Sequence, residues 1–378
     1  MAVMTRRGFA AMAGGLIFSR AQAQAMVARQ LWFSAWKAYR DSFIDAQGRV
    51  IDYSSNYGFT TSEGQSYALF FSLIANDRSI FHRVLSWTNA NLAGGRLGET
   101  LPAWKWGQRN GSWGVIGRNS ASDADSWIAY TLLEAGRLWG DDGLRGLGRR
   151  LARRIASDES SEIHGFGRVL VPGAMKFPRN APVIVNPSYT PLFLAQAVAE
   201  DTGDAAWAEI AVTQPELMQA VSPRGYAPDW AWLPSAPHSP PRNLPLADSG
   251  SYNAIRCYLW AGLTAPDTPG AASLLESLRG MADYLKTSAV PPQTVDTNTG
   301  SARDAGPVGF SAALLPYLAR MGRSGSLRQQ LDRVLADRQP DGIFGQPARY
   351  YSENLILFGL GGLTGVIRFS KSGRVIPS

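Results

Sequence analysis

The stretch SASDADSWIA, at residues 120–129, is where the fold of this chain can first be predicted. Two acidic residues, Asp123 and Asp125, stand at the beginning of a segment that then turns apolar. The apolar residues that follow are spaced by three or four positions: Ile128, Leu132, Ala135 and Trp139. This spacing is one face of an amphipathic helix. We therefore predict a helix over 123–139, with Ser122 as its N-cap and both acids in its first turn.

Outward from this helix, eleven further segments have helical patterns, and Gly- and Pro-rich loops join them. The twelve predicted helices cover 26–39, 62–75, 80–91, 123–139, 143–155, 190–200, 205–211, 251–264, 271–288, 309–321, 327–337 and 352–360. Several are apolar on most sides, which is typical of helices packed in two layers. Twelve helices without an internal repeat suit a barrel of six inner and six outer helices.

Few other elements are expected. Residues 169–171 and 183–185 are the only segments that we predict as short strands, each able to form a hairpin. The Pro-rich stretch 228–245 is too irregular for a helix and is interpreted as a linker or as a wall of a cleft. Helical patterns continue on both sides of it without a change in composition. We therefore predict one domain over 26–378.

Two other segments place polar groups at the start of a predicted helix. In TTSEGQSYA, residues 60–68, Ser62 and Gln65 have the spacing of a capping box, which puts Glu63 at the first helical position. In DSGSYNAIR, residues 248–256, Asn253 lies near a helix start. A carboxylate at such a position also complements the helix dipole, and an Asn there can be structural. No one of these segments identifies a site alone.

Aromatic residues are common in the predicted loops. They are Tyr57, Trp104, Trp106, Trp113, Tyr189, Tyr226, Trp230 and Trp232. Each of them can be a core residue. Taken together, and with acids at several helix starts, they favour a groove in which flat sugar rings stack and carboxylates or amides bind the hydroxyls.

The segments quoted above resemble the signature of glycoside hydrolase family 8. The resemblance extends to Trp104-Lys105-Trp106 and to residues 251–260, in the order of the family, and its nearest branch is the endoglucanase encoded with bacterial cellulose synthase. It implies an all-α (α/α)6 barrel with a long open cleft, without a cofactor or metal. It further implies endo-hydrolysis of a β-1,4-glucan with inversion, and a functional association with cellulose synthase.

The resemblance also implies roles for single residues. Glu63 matches the general acid, and Asp123 or Asp125 matches the aspartate close to the cleaved bond. The acid must keep its proton near neutral pH, so we expect burial and a neighbouring carboxylate to oppose the helix dipole. The residues expected to bind the sugar chain are Tyr57, Trp104, Trp106, Tyr189, Trp230, Tyr252 and Arg256.

One position departs from the family pattern. Asn253 stands where cellulose-cleaving members have the aspartate base, although Tyr252 and Arg256 on either side are retained. An amide cannot take a proton from water, and a positioned base is worth about 10²–10⁴ in rate. Three explanations remain open. Another carboxylate is the base, with Asp125, Asp229 and Asp248 as candidates; or the protein is a catalytically impaired glucan binder; or the Asn is a deliberate or accidental replacement.

Composition excludes other classes of function. The 37 Lys and Arg against 30 Asp and Glu give a net charge of +7, but the basic residues form no long tract, which argues against a nucleic-acid partner. The single Cys257 permits no internal disulfide and is predicted to be buried and inert. The three His residues lie too far apart in sequence for a metal motif. No apolar run is long enough to cross a bilayer.

Residues 1–25 are predicted to be an export signal. Arg6 and Arg7 precede an apolar run over 8–18, and small residues alternate over 21–25, with cleavage expected after Ala23 or Ala25. The paired arginines also fit the twin-arginine pathway, so that pathway and the general secretory pathway both remain open. Either one predicts a periplasmic or secreted protein.

Overall fold

The computed structural model describes residues 20–55, 57–163, 166–175, 182–233 and 248–377, with side chains from residue 26 onward. Most of residues 1–25, the predicted export signal, and most of the Pro-rich stretch therefore lie outside the described residues. The helices of the described part are α1 Arg20–Phe43, α2 Ser62–Ile74, α3 Arg78–Leu92, α4 Ser122–Trp139, α5 Asp142–Asp158, α6 Leu192–Thr202, α7 Ala205–Val221, α8 Ile255–Leu263, α9 Ala271–Glu276, α10 Arg279–Tyr284, α11 Val308–Arg320, α12 Ser324–Ala336 and α13 Tyr350–Thr364. None of them is long and apolar enough to span a membrane.

Short strands connect these helices. They are β1 Thr60–Thr61, β2 Lys105–Arg109, β3 Ser112–Gly117, β4 Ser160–Ile163, β5 Gly167–Leu170, β6 Val183–Val185, β7 Ala231–Leu233, β8 Ser249–Gly250, β9 Pro292–Asp296 and β10 Ala302–Ala305. They form four small antiparallel sheets, with orders β1-β2-β3, β8-β9-β10, β4-β5 and β6-β7.

Local sequence signals set the joints between paired helices. Helix α4 ends at Gly140, whose φ of 67° lies in the left-handed region that glycine adopts without a steric penalty. The next residue, Asp141, caps α5 by accepting a hydrogen bond from the backbone N–H of Leu144. Gly203 and Asp204 repeat the same arrangement between α6 and α7. Such short joints force consecutive helices to pack antiparallel.

The helices form two concentric layers. Six helices that are buried on nearly all sides form the inner layer: α2, α4, α6, α8, α11 and α13. Each packs against an outer helix next to it in the chain, α3, α5, α7, α9 and α12, except that α1 covers α13. Outer helices bury one stripe only. In α5 this stripe holds Leu144, Leu151 and Ile155, while the opposite face carries arginines.

Aromatic side chains fill the centre of the inner ring. The Trp127 ring of α4 contacts Phe70 of α2, Phe193 of α6, Trp260 of α8 and Phe358 of α13, with ring centroids 4.9 to 5.9 Å apart. Five inner helices therefore meet at one residue, and the ring is a packed core rather than a channel. The prediction of an (α/α)6 barrel of about twelve helices is confirmed.

The strand predictions are only partly right. The hairpin expected at 169–171 is present as β4 and β5. Strand β6 at 183–185 does not form a local hairpin; it pairs with β7, which lies inside the stretch 228–245 that we interpreted as irregular. The β2–β3 hairpin was not predicted. Its turn is formed by Asn110 and Gly111, whose φ angles of 52° and 79° lie in the left-handed region. An Asn-Gly pair is a strong hairpin signal in sequence.

One predicted helix, 271–288, is broken in two. Helix α9 ends at Glu276 and α10 begins at Arg279. Gly280 lies so close to the 222–225 loop that an added Cβ would be 2.5 Å from the carbonyl oxygen of Arg224. Between the two helices Leu278 has φ of −111° and ψ of 12°, outside the helical range, and the tertiary contact at Gly280 holds α10 against the loop.

The segment after α13 is clamped against the inner layer. Phe369 stacks on Phe193 with centroids 4.0 Å apart, and the hydroxyl of Tyr130 donates to the carbonyl of Gly373. The backbone N–H of Val375 donates to the buried carboxylate of Glu134 at 2.7 Å. Arginines of α4, α5 and this segment surround Glu134 and the equally buried Asp201. The basic surface of α5 is thus partly used in ion pairs.

Candidate active site

Arg256 joins three of the inner helices at one end of the barrel. It lies in the first turn of α8, and its side chain is 3% exposed. One terminal nitrogen, Nη1, donates to Glu63 Oε1, to Asp123 Oδ2 at 3.1 Å and to the Tyr67 hydroxyl at 3.1 Å. The other, Nη2, donates to Asn253 Oδ1 at 2.7 Å. One buried cation therefore brings together the three segments that the sequence singled out.

Glu63 is the most accessible carboxylate of this cluster, with 27% of its side chain exposed. Its position on α2 differs by one residue from the prediction. Thr61, and not Ser62, is the N-cap, because its hydroxyl accepts the hydrogen bond from the N–H of Gly64. Gln65 takes no part in a capping box, since its buried amide binds Val50 and Thr88 instead. Glu63 is thus the second helical residue.

Asp123 lies deeper than Glu63. Helix α4 begins at Ser122, which therefore does not cap it; the cap position is Ala121, without a side-chain bond. Asp123 is 4% exposed, and its Oδ1 accepts the hydrogen bond from the N–H of Ala124 at 2.9 Å. Burial raises the pKa of Asp123 to about 6, although Arg256 opposes that shift. Of the two aspartates in the motif, Asp123 is the neighbour of Glu63.

Asp125 points away from this cluster. It is fully buried, and no contact joins it to Glu63 or Arg256 among the hydrogen bonds and ion pairs of the described residues. Its neighbour is the buried carboxyl of Glu159 at the end of α5. Burial, and then the charge of Glu159, raise the pKa of Asp125 well above its usual range. Asp125 is therefore separated from the solvent that a catalytic water would come from.

Asn253 is held in place by Asp229. The carboxylate oxygen Oδ1 of Asp229 accepts hydrogen bonds from the backbone N–H groups of Ser251, Asn253 and Ala254, at 2.8 to 2.9 Å. These groups form the turn that leads into α8. Asp229 is half-buried and lies beside Trp230. Of the three alternative bases, it is the one beside Asn253.

The remaining alternative, Asp248, is exposed, and no hydrogen bond or ion pair of the described residues joins its side chain to Asn253 or Arg256. Its Oδ1 accepts a hydrogen bond from the side-chain amide of Asn298 at 2.7 Å, at the turn between β9 and β10. Every Asp and Glu of the chain lies within the described residues, since the segments left out contain neither. All three candidate bases are therefore among the described residues.

Of the predicted aromatic residues, Tyr189 lies beside Arg256, and Trp230 packs against Tyr189. The ring of Tyr189 is 5.6 Å from the guanidinium carbon, and Trp230 meets Tyr189 edge to face at 5.9 Å. Trp104 also adjoins the site, because its carbonyl accepts the N–H of Ser62 at the start of α2.

Trp106 lies farther along β2 in a group of its own. Its ring stacks on Trp113 at 5.1 Å and meets Trp87 edge to face, with Arg49 over both stacked rings. Trp113 is half exposed, so this group presents an aromatic surface to solvent. Tyr57 is 70% exposed and forms no ring contact with these residues.

A cavity of about 850 Å³ opens beside the cluster. Tyr252 lines it and is half exposed; its ring meets that of Tyr351, whose hydroxyl donates to the Tyr252 carbonyl. Other lining residues come from the loop after α1 and from the start of α13: Asp52, Tyr53, Pro347, Arg349 and Tyr350. The cavity adjoins the site through Tyr252, which precedes Asn253 in the chain, and none of the residues bound to Arg256 in this cluster lines it.

Sequence reasoning missed several residues of this region. Tyr67 lies one helical turn after Glu63, so its place on the same face of α2 could have been inferred. Tyr350 and Tyr351 begin α13, where no motif was recognised. No local signal pairs Glu159 with Asp125, because the two are far apart in the chain. No described group of three or more His, Cys, Asp or Glu is arranged to hold a metal ion.

This chain is similar to known proteins in sequence and in fold. The family model for glycosyl hydrolases family 8 matches residues 1–365. An endoglucanase from Xanthomonas axonopodis pv. citri (strain 306) is 42% identical over 345 residues, which is 91% of this chain and 88% of that protein. One from Escherichia coli (strain K12) is 40% identical over 351 residues, covering 91% and 90%.

A solved structure, the endo-1,4-D-glucanase from Vibrio fischeri ES114, superposes with a TM-score of 0.81 at 38% identity, covering 92% of this chain and 99% of that one. The similar proteins are named as enzymes, so they give no support to the alternative of a catalytically impaired binder.

Proposed function

We propose that this chain, which belongs to glycosyl hydrolases family 8, is an endoglucanase that cleaves internal bonds of a β-1,4-glucan with inversion. The observation that carries this proposal is the Arg256 cluster. It holds an accessible carboxyl, Glu63, and an amide, Asn253, on the two nitrogens of one guanidinium beside an open cavity.

Glu63 is the general acid in this proposal. Its side chain reaches solvent, whereas Asp123 next to it is buried. A sugar bound over the cluster would meet Glu63 as the accessible proton donor for the leaving oxygen. Asp123 and Arg256 set the position of that carboxyl. Inversion requires that a base on the other face of the ring activates water, with the two groups farther apart than in retaining enzymes.

Asn253 and Asp229 occupy the water side. The amide of Asn253 can hold a water by hydrogen bonds but cannot take its proton. We infer that Asp229 takes that proton, because its carboxylate is attached to the turn that carries Asn253 and uses Oδ1 for the backbone. This assigns the base to one of the carboxylates that sequence reasoning left open.

The aromatic residues support a sugar chain as the substrate. Tyr189 lies beside Arg256, Trp230 packs against Tyr189, and Tyr252 lines the cavity. Trp104 precedes β2 and adjoins the start of α2, and Trp106 on β2 belongs to the separate group with Trp113. Flat apolar sugar faces stack on such rings, while hydroxyls bind to the carboxylates and Arg256. Tyr57 is exposed and lies shortly before Glu63 in the sequence. We keep it as a candidate for stacking on a sugar ring.

The test is the hydrolysis of carboxymethyl cellulose by the purified chain. We expect viscosity to fall much faster than reducing ends appear, since an endo-enzyme cuts the middle of chains. We also expect the first product from a soluble cello-oligosaccharide to be the α-anomer by NMR. Xylan and chitosan are the comparison substrates. A chain that cut only one of these, or that released the β-anomer, would contradict the proposal.

We further propose that the protein is exported to the periplasm or secreted, and that it acts beside cellulose synthase. The support is the sequence pattern of residues 1–25, which predicts an export signal, and the resemblance of the motifs to that branch of the family. N-terminal sequencing of cell fractions should find the chain cut after Ala23 or Ala25 outside the cytoplasm. Crosslinking in the same cells should recover cellulose synthase subunits. A full-length cytoplasmic chain would contradict this proposal.

A further inference from the structure

A second pair of acidic side chains lies behind Asp123 and is not explained by the proposed chemistry. Asp125 of α4 and Glu159, the residue after α5, are both fully buried. Glu159 Oε1 accepts a hydrogen bond from the hydroxyl of Ser120 at 2.5 Å. Neither oxygen of Asp125, nor Glu159 Oε2, has a hydrogen-bond donor among the described residues. Two neighbouring buried carboxyl groups thus leave three oxygens without a donor in the described part of the chain.

Such an arrangement is unstable if both groups are ionised. A buried acceptor without a donor costs the full desolvation penalty of that group, and two adjacent carboxylates repel each other. One proton between the two carboxyls removes one charge and supplies the missing donor. Aspartic protease dyads hold a proton in this way.

We propose that Asp125 and Glu159 share one proton at neutral pH, and that this pair is a positioning device that keeps Asp123 aligned with Glu63 and Arg256. The sharing of the proton follows from burial and the missing donors alone. The positioning role rests on the proposed function.

The contacts around the pair show how it can act on Asp123. Ser120 Oγ also accepts the N–H of Ala174 at 2.9 Å, so the segment entering α4 is tied to the 171–175 loop. Gly173 lies against Ser120; an added Cβ there would be 2.4 Å from the Ser120 carbonyl oxygen. Asp125 is two residues after Asp123 in the same helical turn. Disturbing the pair therefore moves the turn that carries Asp123.

The charges near the pair favour the shared proton. The groups that act on it directly are acidic: Asp123 on α4 and Asp158 at the end of α5. Farther away, on the other side of Asp123, lie Glu63 and Tyr67 on α2, Tyr189 and Arg256. Arg256 is the cation of this set, and it is already bound to Glu63 and Asp123.

The pH range of the effect has a definite sign. Burial raises the pKa of Glu159 to about 8, against an ordinary value of about 4.3 in an unfolded chain. A group whose pKa is raised by folding adds stability that is complete below the unfolded value and is lost as pH rises through the folded value. The contribution of the pair should therefore decline across neutral pH and be gone above about pH 8.

Four variants of the full chain test this inference. Glu159→Gln keeps an acceptor for Ser120 and gives Asp125 an N–H donor, but cannot titrate. Glu159→Leu removes both functions. Ser120→Ala keeps both carboxyl groups and removes the hydroxyl that donates to Glu159 Oε1. It replaces Glu159→Leu as the disrupting variant if Glu159→Leu does not fold. Glu162→Gln is the matched control, because Glu162 is exposed and lies three residues farther on β4.

The first readout is the infrared band of protonated carboxyl groups at pH 7. We expect Glu159→Gln to remove or shift a band that Glu162→Gln leaves unchanged. Glu353, also buried with its pKa raised to about 8, contributes equally to both spectra and cancels in the difference. The Tm of the wild type should also fall more between pH 5 and 8 than the Tm of Glu159→Gln. An unchanged band in Glu159→Gln would overturn proton sharing.

The second readout is steady-state hydrolysis of carboxymethyl cellulose. We expect Glu159→Gln to retain activity and Glu159→Leu to lose kcat about tenfold to a hundredfold with little change in KM, since a shift of about 1 Å at a reacting group can cost about a hundredfold. Ser120→Ala should lose less, in the same direction. Wild-type kcat in both Glu159→Leu and Ser120→Ala would overturn the positioning role. A wild-type chain without hydrolysis but with the infrared difference would refute the proposed function and leave proton sharing intact.

Discussion

Glu63→Gln is expected to reduce kcat on carboxymethyl cellulose by about 10²–10⁴, the range that a positioned general acid contributes. The amide cannot protonate the leaving oxygen. It is nearly the same size, and its oxygen can still accept the hydrogen bond that Arg256 donates to Glu63 Oε1. The loss should therefore appear in kcat, while the affinity for a cello-oligosaccharide and the Tm remain close to the wild-type values.

A change of leaving group separates proton donation from structural damage. A dinitrophenyl cellobioside needs no protonation when its bond breaks, so Glu63→Gln should cleave it with a much smaller loss than the polysaccharide. Glu99→Gln is the control, since Glu99 is an exposed carboxylate outside the site. Equal losses on both substrates, or a loss below tenfold on the polysaccharide, would exclude Glu63 as the acid.

The second large effect is expected from Asp229→Asn, which should lower kcat by about 10²–10⁴ if Asp229 activates the water. The substitution is conservative for the fold. The amide oxygen of Asn can accept the three backbone hydrogen bonds that Asp229 Oδ1 accepts now. What is lost is the negative charge and the basic oxygen.

A second substitution, Asn253→Asp, should rescue the activity of Asp229→Asn. In the Asp229→Asn background, Asn253→Asp restores a carboxylate next to the lost one, and Arg256 Nη2 can hold it as it now holds the amide at 2.7 Å. We expect the double variant to recover most of the lost kcat, and Asn253→Asp alone to change kcat by less than about tenfold. A wild-type rate for Asp229→Asn would show that Asp229 only caps the turn into α8. A large gain from Asn253→Asp alone would show that the native protein lacks an efficient base.

Much of the architecture could be predicted from local patterns. Helix spacing identified α4, and Gly140-Asp141 and Gly203-Asp204 mark joints that force antiparallel pairs. These signals are readable because capping, φ preference and apolar periodicity act within a few residues. Two of the errors concern the residues at which helices begin. Ser62 and Ser122 were each predicted as N-caps, whereas α2 and α4 begin at those residues. Gln65 binds Val50 and Thr88 and so completes no capping box, and the N–H of Ser122 donates to the carbonyl of Pro172 in the 171–175 loop.

The chemistry of the site depended on contacts between distant residues. The sequence identified Glu63, Asp123 and Asn253 as separate candidates, and Asn253 as the departure from the family pattern. All three accept hydrogen bonds from the side chain of Arg256, because the packing of the inner helices brings them together. Likewise, the hydrogen bonds between Asp229 and the turn at Asn253 join residues that are 22 to 25 positions apart in the chain. Helical periodicity does not predict the strands that lie near them.

The same reason explains why Asp125 was first considered a site residue. Asp123 and Asp125 have equivalent local settings, since both are acids in the first turn of one helix. Only the packing of α5 decides that Asp123 faces Arg256 while Asp125 faces Glu159. Local sequence therefore specifies which residues begin a helix and which can carry charge. Burial by other elements decides which of those charges reach the substrate and which hold a proton inside the core.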